Sequence, residues 1–480
     1  MTSELLDLTA ESLSRGIASR DFSCREVMEA TLARVDRVNP TLNAIVSLRD
    51  RDAVLADADA CDADLAHGRR RGWMHGMPQA IKDAVSVAGV RTTLGSRLVD
   101  FVPAHDDLLV ARMKAAGAIV IGRTNCPEFG LGSHTFNDIF GATLNAYDAT
   151  RSAGGSSGGS AVALATRMLA VADGSDFMGS LRNPAGWNNV YGMRPSQGRV
   201  PNWPQVDAYV SQLSTCGPMG RNVLDLARLL DVQAGYDPRV PLSLDGGGGF
   251  ADTVLAATPD DARVRIGWLG DLDGHLAMED GVLATCEAAL RRFEGLGAAV
   301  EPVSSPFDAT RIWEAWLVWR RWIVAGRIAP FLRKPEQRAL VKPEALWEVD
   351  QAEGLTGNDT MRASVVRTVF HQQMLNLFGS YDVIALPTAQ VWPFPATQRW
   401  PHEIAGRAMD TYHRWMEVTI YATFAGLPCI AVPAGFGDHG LPMGLQLIGR
   451  PRADAELLRI SAAYENAIGD WLGRRPPELV

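Results

Sequence analysis

The chain has 480 residues, of which 47% are hydrophobic and 21% charged, and its formal net charge is −9. This composition is typical of a globular protein that can bury a sizeable core, and the negative balance argues against a general nucleic-acid-binding surface. No stretch approaches the roughly 18 uninterrupted apolar residues of a membrane span, and the N-terminus lacks a secretory signal pattern, so we expect a cytoplasmic protein without membrane contact.

Six cysteines are spread along the sequence without a Cys-x-x-Cys pair. Their spacing matches no common zinc-ligand pattern and favours reduced thiols. We therefore expect neither a zinc site nor a disulfide framework.

The N-terminal part of the chain predicts helices. Residues 8–46 have amphipathic spacing, and Ser23 and Glu26 stand in the positions of a capping box. Residues 52–70 form a second helical segment, rich in alanine and aspartate, whose closing arginines we expect to form a solvated surface.

Strands and helices alternate in the following segment. An apolar run at 80–85 indicates a buried strand end, 111–116 a helix, and 118–122 a strand typical of parallel sheets. Residues 160–172 are apolar on all sides and predict a buried helix.

The C-terminal half resumes the alternation after a glycine-rich loop or linker at 246–249. A helix is expected at 281–296, between strands. The predicted strands are 263–269, 298–303, 382–386, 429–433 and 444–448. A βαβ pattern of this kind implies a mixed or parallel sheet covered by helices. Residues 306–378 interrupt it with a helical, tryptophan-rich segment.

Two glycine-rich turns carry the serines Ser156 and Ser180, and no histidine lies between Gly154 and Pro195. A nucleophilic serine needs a tight turn that exposes its Oγ and lets backbone N–H groups face a developing oxyanion. Without a nearby imidazole the base must come from elsewhere. Lys82 has apolar neighbours, and burial there could lower its pKa enough to leave it neutral near pH 7.

Two other interpretations of the turns remain open. They could be flexible connections, with the lysine only a charge at a strand end. They could also bind phosphate at the N-terminus of the following helix. A P-loop requires lysine and Ser/Thr after its glycines, whereas Ser160 and Ala161 follow here, which disfavours nucleotide binding.

Four elements, in order, resemble the amidase signature family. They are Gly76–Asp83 with its lysine, Gly122–Gly130 with a TNxxEF pattern, the paired serine turns at Gly154–Ser160 and Asp176–Arg182, and the C-terminal Gly426–Leu447. The resemblance implies one α/β domain over residues 1–480, with a mixed, mostly parallel twisted sheet and helices on both faces. Within it, 1–70 would be N-terminal helices, 76–200 the catalytic core and 306–378 a variable segment near the active site.

The resemblance also implies roles for single residues. Ser180 would be the nucleophile, Ser156, after a cis peptide bond, the bridging serine, and Lys82 the base. Backbone N–H groups would form the oxyanion hole at Phe177, Met178, Gly179 and Ser180. No metal or organic cofactor is needed for this chemistry.

Supporting positions are implied at Ser157, Asp176 and Arg182. The sequence departs from the family at the nucleophile turn, where Phe177 and Met178 replace the usual threonine and glycine. Methionine has a narrower range of backbone angles than glycine, and both residues add apolar bulk. We expect an altered substrate choice.

The substrate is expected to be a small molecule. Hydrophobic or aryl amides are favoured, including anilides, carbamates (urethanes) and amide oligomers, with Cys126, Trp316 and Trp392 as candidate pocket residues. Trp313, Trp316 and Trp319 recur every three residues, which favours packing within a helix core. The alternatives are the A subunit of a glutamine-dependent tRNA amidotransferase and a non-catalytic binding protein. We expect a monomer or homodimer that does not bind nucleic acid.

Overall fold

The computed structural model describes residues 2–479. Its α-helices are Thr2–Leu5 (α1), Ala10–Ser19 (α2), Cys24–Leu42 (α3), Arg51–Ala66 (α4), Leu108–Ala115 (α5), Gly158–Ala165 (α6), Arg182–Trp187 (α7), Val223–Gln233 (α8), Phe250–Leu255 (α9), Val282–Gly295 (α10), Ala309–Ile328 (α11), Pro335–Arg338 (α12), Pro343–Asp350 (α13), Gly357–Leu377 (α14), Ile420–Ala425 (α15), Asp454–Glu465 (α16) and Gly469–Leu472 (α17). Within residues 2–479, none of the helices is long and apolar enough to cross a bilayer.

The strands are short and belong to several sheets. They are Ile45–Val46 (β1), Pro78–Lys82 (β2), Ile119–Thr124 (β3), Phe136–Asn137 (β4), Gly141–Ala142 (β5), Val171–Asp176 (β6), Tyr191–Arg194 (β7), Thr215–Gly220 (β8), Arg265–Trp268 (β9), Ala299–Pro302 (β10), Val383–Pro387 (β11), Glu403–Ile404 (β12), Arg407–Ala408 (β13), Cys429–Phe436 (β14) and Pro442–Ile448 (β15).

The central sheet has eight strands in the order β10-β9-β11-β15-β14-β7-β8-β6. The neighbours β10–β9 and β9–β11 are parallel, and the other five pairs are antiparallel. The predicted mixed sheet flanked by helices is therefore confirmed. Five of the eight strands run in one direction and three in the other, so most strands are parallel to one another. Most neighbouring pairs are nevertheless antiparallel, because strands of the two directions alternate from β11 to β6.

A smaller sheet, in the order β1-β3-β2, carries the lysine segment. Strand β2 runs parallel to β3 and ends at Lys82, directly beside β6 of the central sheet. One continuous apolar core extends from α2 through both sheets to the C-terminal helices. This packing fixes the end of β2 against the strand that leads into the turn at residues 177–180, which we call the nucleophile turn after the role predicted for Ser180.

The structure corrects one predicted helix. The buried helix expected over 160–172 ends at Ala165, and β6 begins at Val171. The chain reverses at Arg167, which has φ +59°, so that β6 can pair with β8. The apolar run looked like one helix because a buried helix and a buried strand are both apolar on every side.

The variable segment packs as helices against the nucleophile turn. Helices α11 and α13 form a second apolar cluster, on which Phe129 and Phe177 pack. The indoles at Trp313, Trp316 and Trp319 are buried, as their spacing predicted.

Candidate active site

Lys82 lies at the end of β2 and is surrounded by three serine hydroxyls. Its Nζ donates to Ser156 Oγ at 2.8 Å, Ser157 Oγ at 2.8 Å and Ser175 Oγ at 3.0 Å. Its backbone N–H donates to the Asp173 carboxylate, whose two oxygens are each 3.3 Å away. We call these four side chains, Lys82, Ser156, Ser157 and Ser175, the lysine–hydroxyl cluster.

Burial of the lysine shifts its protonation equilibrium towards the neutral amine. Lys82 is 1% exposed, and desolvation lowers the pKa of its amine below the ordinary value near 10.5, although nearby acidic groups including Cys126 and Asp173 oppose the shift. No carboxylate lies within ion-pair distance of Nζ in the part of the chain that the structure describes. A neutral amine has a lone pair that can accept the proton of a hydroxyl.

Ser156 follows a cis peptide bond from Gly155, as the resemblance implied. The backbone at Gly155 lies tightly against the loop around Thr135, because an added Cβ would lie 3.0 Å from the Thr135 hydroxyl. Ser157 connects the two glycine turns, because its N–H donates to Ser180 O at 3.2 Å. Its hydroxyl oxygen accepts from Lys82 Nζ. Ser157 was expected only to support the turns, and the structure places it directly on the lysine.

Ser180 lies on the turn between β6 and α7 and is 6% exposed. Its hydroxyl makes no hydrogen bond to any other described residue, so its proton and lone pairs are not committed to the protein. Gly179 precedes it with φ +81°, and a Cβ there would lie 2.6 Å from Thr419 Cγ2. Glycine is therefore required at 179 both by the backbone angle and by space.

The four amides predicted to form the oxyanion hole are not equivalent. The Gly179 N–H donates to Asp176 Oδ1 at 3.0 Å, so in this structure it is directed at that carboxylate. The N–H groups of Phe177, Met178 and Ser180 donate to no acceptor among residues 2–479. Met178 does not have a positive φ, so the methionine imposes no left-handed strain where the family usually has glycine.

Asp176 and Arg182 form the buried support of this turn. The Asp176 carboxylate accepts from Leu181 N and, through both oxygens, from the Arg182 guanidinium at 3.0 Å. Desolvation raises the pKa of Asp176, but Arg182, Arg194 and backbone donors overcome it and lower the pKa to about 2. The charged pair connects the turn to the start of α7.

The three predicted pocket residues occupy different places. Cys126 is buried near the cluster, its thiol donates to Asp83 O at 3.3 Å, and burial raises the pKa of the thiol to about 12. Trp316 packs on Phe177 at a ring-centroid distance of 5.6 Å, so it contacts the nucleophile turn through that ring. Trp392 donates its indole N–H to Asp280 O and packs on His439, and the structure does not bring it to the lysine–hydroxyl cluster.

The sequence reasoning missed Ser175 and Asp173. They alternate along β6, so both point to the side on which β2 packs. Burial raises the pKa of Asp173 to about 6, opposed by the Lys82 backbone N–H and by the positive charge of Arg123. The alternation of polar residues in an otherwise apolar strand was the available signal.

The six cysteines are buried and free. Among residues 2–479, no group of three or more His, Cys, Asp or Glu side chains is arranged to hold a metal ion.

Comparison with known proteins agrees with this geometry. A profile of the Amidase family matches residues 26–458. The A subunit of the glutamyl-tRNA(Gln) amidotransferase of Chloroflexus aurantiacus is 35% identical, over 99% of this chain and 100% of its own length. The acylamidase of Rhodococcus erythropolis is 34% identical, over 98% of this chain and 97% of its own length.

A solved bacterial aryl acylamidase of the amidase signature enzymes has a TM-score of 0.89 and 29% identity, covering 97% of this chain and 98% of its own. The chain belongs to the amidase signature family and is a hydrolase of that class.

Proposed function

We propose that the protein hydrolyses carboxylic amide C–N bonds through a covalent acyl-enzyme on Ser180. The observation that carries the proposal is the 2.8 Å contact between a buried Lys82 amine and Ser156 Oγ, beside a turn whose serine hydroxyl is uncommitted. Lysine is the only strong base of the cluster, and burial moves its pKa in the direction that a base near neutral pH requires.

Acylation starts with the neutral amine of Lys82. Ser180 Oγ attacks the amide carbonyl carbon while its proton passes to Ser156 Oγ, and the Ser156 proton passes to Lys82 Nζ. The carbonyl oxygen becomes an oxyanion, for which the N–H groups of Phe177, Met178 and Ser180 are the available donors. Collapse of this intermediate breaks the C–N bond, and the proton returns through Ser156 to the leaving amine.

Deacylation uses the same groups in reverse order. A water molecule attacks the acyl carbon and gives its proton through Ser156 to Lys82. Cleavage of the ester bond then releases the carboxylic acid, and Ser180 recovers its proton. The lysine ends neutral, so each turnover consumes one amide and one water without a cofactor.

The preferred substrates are hydrophobic or aryl amides, with anilides first and carbamates (urethanes), esters and amide oligomers as further members of the class. Phe177 and Met178 add apolar surface beside the reacting carbonyl, and Trp316 packs on Phe177. The similarity to an aryl acylamidase and to an acylamidase supports this choice. The proposal includes action in the cytoplasm as a monomer or homodimer.

The second candidate is the A subunit of a glutamine-dependent tRNA amidotransferase. It is favoured by the 35% identity to such a subunit over nearly the whole chain. Glutamine presents an ammonium and a carboxylate, which need charged partners close to the nucleophile. The apolar residues Phe177 and Met178 at the turn favour the first candidate.

A chromogenic panel separates the two candidates. We would measure release of p-nitroaniline from acyl anilides and release of ammonia from glutamine, each with the wild type and with Ser180→Ala. The proposal predicts anilide turnover that disappears in Ser180→Ala, with little glutaminase activity. Glutaminase activity without anilide turnover would support the amidotransferase candidate, and anilide turnover that survives in Ser180→Ala would refute the mechanism.

A further inference from the structure

A buried arginine from the variable segment contacts the nucleophile turn. Arg320, on α11, is 3% exposed. Its Nε donates to Glu348 Oε1 at 2.6 Å and its Nη2 donates to Tyr412 OH at 2.7 Å. The Tyr412 hydroxyl in turn donates to Glu348 Oε1 at 2.6 Å. We call these three side chains the Arg320 network.

The remaining end of the guanidinium faces the two residues at which the turn departs from its family. Arg320 Nη1 lies 3.7 Å from Met178 Sδ, and the guanidinium carbon lies 5.5 Å from the centroid of the Phe177 ring. A thioether is a weak acceptor and an aromatic face attracts a cation, so both contacts favour one placement of these side chains. Methionine has three rotatable side-chain bonds and would otherwise have many conformations.

The network also reaches the other wall of the site. Tyr412 lies beside Gly132, where an added Cβ would be 3.8 Å from the ring. Gly132 belongs to the loop whose residues 133–135 pack on Gly155, and Gly155 is the residue that precedes Ser156. The network therefore bridges the nucleophile turn and the loop beside the bridging serine.

Stability alone does not account for this arrangement. Within the network, Glu348 Oε2 is buried and has no hydrogen-bond partner among the described residues. The same holds for Nε2 of the neighbouring His413, which lies 4.0 Å from Glu348 Oε1. A buried ion pair with unpaired polar atoms is often no more stable than apolar residues of the same volume. A charged network that is incompletely paired, yet directed at Met178, points to a role in the site.

We propose that Arg320 is a positioning residue of the proposed amidase, acting through Met178. By holding the methionine side chain, the guanidinium fixes the direction of the Met178 N–H, which is one of the three amides available to an oxyanion. The inference rests on the proposed function of Ser180.

The test is a double-mutant cycle read out by the rate at which a fluorophosphonate labels Ser180, because the phosphonyl oxygen uses the same donors and no natural substrate is needed. Removal of one oxyanion donor lowers the rate by a factor of roughly 10²–10³, and a donor that points partly away from the oxyanion should lower it by a smaller factor. We expect Arg320→Met to lower the maximal labelling rate about tenfold or more, with the half-saturating probe concentration changed less than about twofold.

In a Met178→Gly background, Arg320→Met should change the maximal labelling rate by less than about threefold, since the side chain through which Arg320 acts is absent. The matched control is Arg311→Met, an exposed arginine near the start of the same helix. Arg311→Met should label at the wild-type rate. If Arg320→Met does not fold, Tyr412→Phe removes one hydroxyl of the network and should give a smaller decrease that also disappears with Met178→Gly.

An equal decrease in the presence and absence of Met178, or no decrease at all, would overturn the inference while leaving Ser180 as the nucleophile. A wild-type protein that is folded but not labelled at Ser180 would overturn both the inference and the proposed function.

Discussion

Replacing Gly179 with alanine perturbs the nucleophile turn at the residue before Ser180, where the backbone has φ +81°. A left-handed conformation costs an L-residue about 1–2 kcal/mol. The added methyl group would lie 2.6 Å from Thr419 Cγ2 and 2.8 Å from Thr419 Cβ, so the buried threonine or the turn must move. Overpacking of this kind costs about 1–3 kcal/mol. Gly179→Ala should therefore destabilise the protein by about 2–5 kcal/mol.

The matched control is Gly354→Ala. Gly354 has φ +80° and nothing within 4 Å of an added Cβ, so it should show the backbone cost alone. Urea unfolding of both variants and the wild type, followed by fluorescence, gives the two free-energy changes, and the larger loss should be at 179. Equal destabilisation of the two variants would show that Thr419 relaxes without cost and would refute the argument that space requires glycine there.

Three further predictions concern the support of the cluster and the turn. The value of kcat/KM should rise with pH through the pKa of Lys82, with a midpoint below 10.5, because the base acts in its neutral form. Lys82→Met should remove this pH dependence and lower kcat/KM by a factor of roughly 10²–10⁴. Ser175→Ala should move the midpoint of that pH profile to lower pH, because a hydroxyl that accepts from the ammonium form stabilises it. Asp176→Asn should cost about 3–5 kcal/mol at neutral pH by leaving Arg182 buried without its partner. The folded pKa of Asp176, about 2, lies below its ordinary value near 3.8. The part of this contribution that depends on ionisation, about 2 kcal/mol, is therefore present above about pH 4 and is lost as pH falls through 2, which pH-dependent urea midpoints would show.

Local pattern was sufficient for most of the fold. The capping box at Ser23 begins α3 as predicted, and the apolar runs gave β3 and β9 within a few residues of their bounds. The helix predicted over 160–172 was wrong at its C-terminal end because hydrophobicity alone does not distinguish a buried helix from a buried strand. The pairing of β6 with β8, which lies far away in the sequence, is what makes residues 171–176 a strand.

The site was predictable to the extent that it lies in glycine turns. Ser156 and Ser180 are each marked by such a turn, and Lys82 by its apolar neighbours. Ser175 required knowledge of which face of β6 meets β2. Arg320 had no local signal, because its partners Glu348 and Tyr412 are 28 and 92 positions away in the sequence.

The central claim is that Ser180 carries the acyl group during turnover, and intact-protein mass spectrometry after rapid quenching with an acyl p-nitroanilide tests it most directly. The account predicts a mass increase of one acyl group in the wild type, located by peptide mapping to Ser180, and no increase in Ser180→Ala. An acyl group located on a different residue, or one that persists in Ser180→Ala, would contradict it.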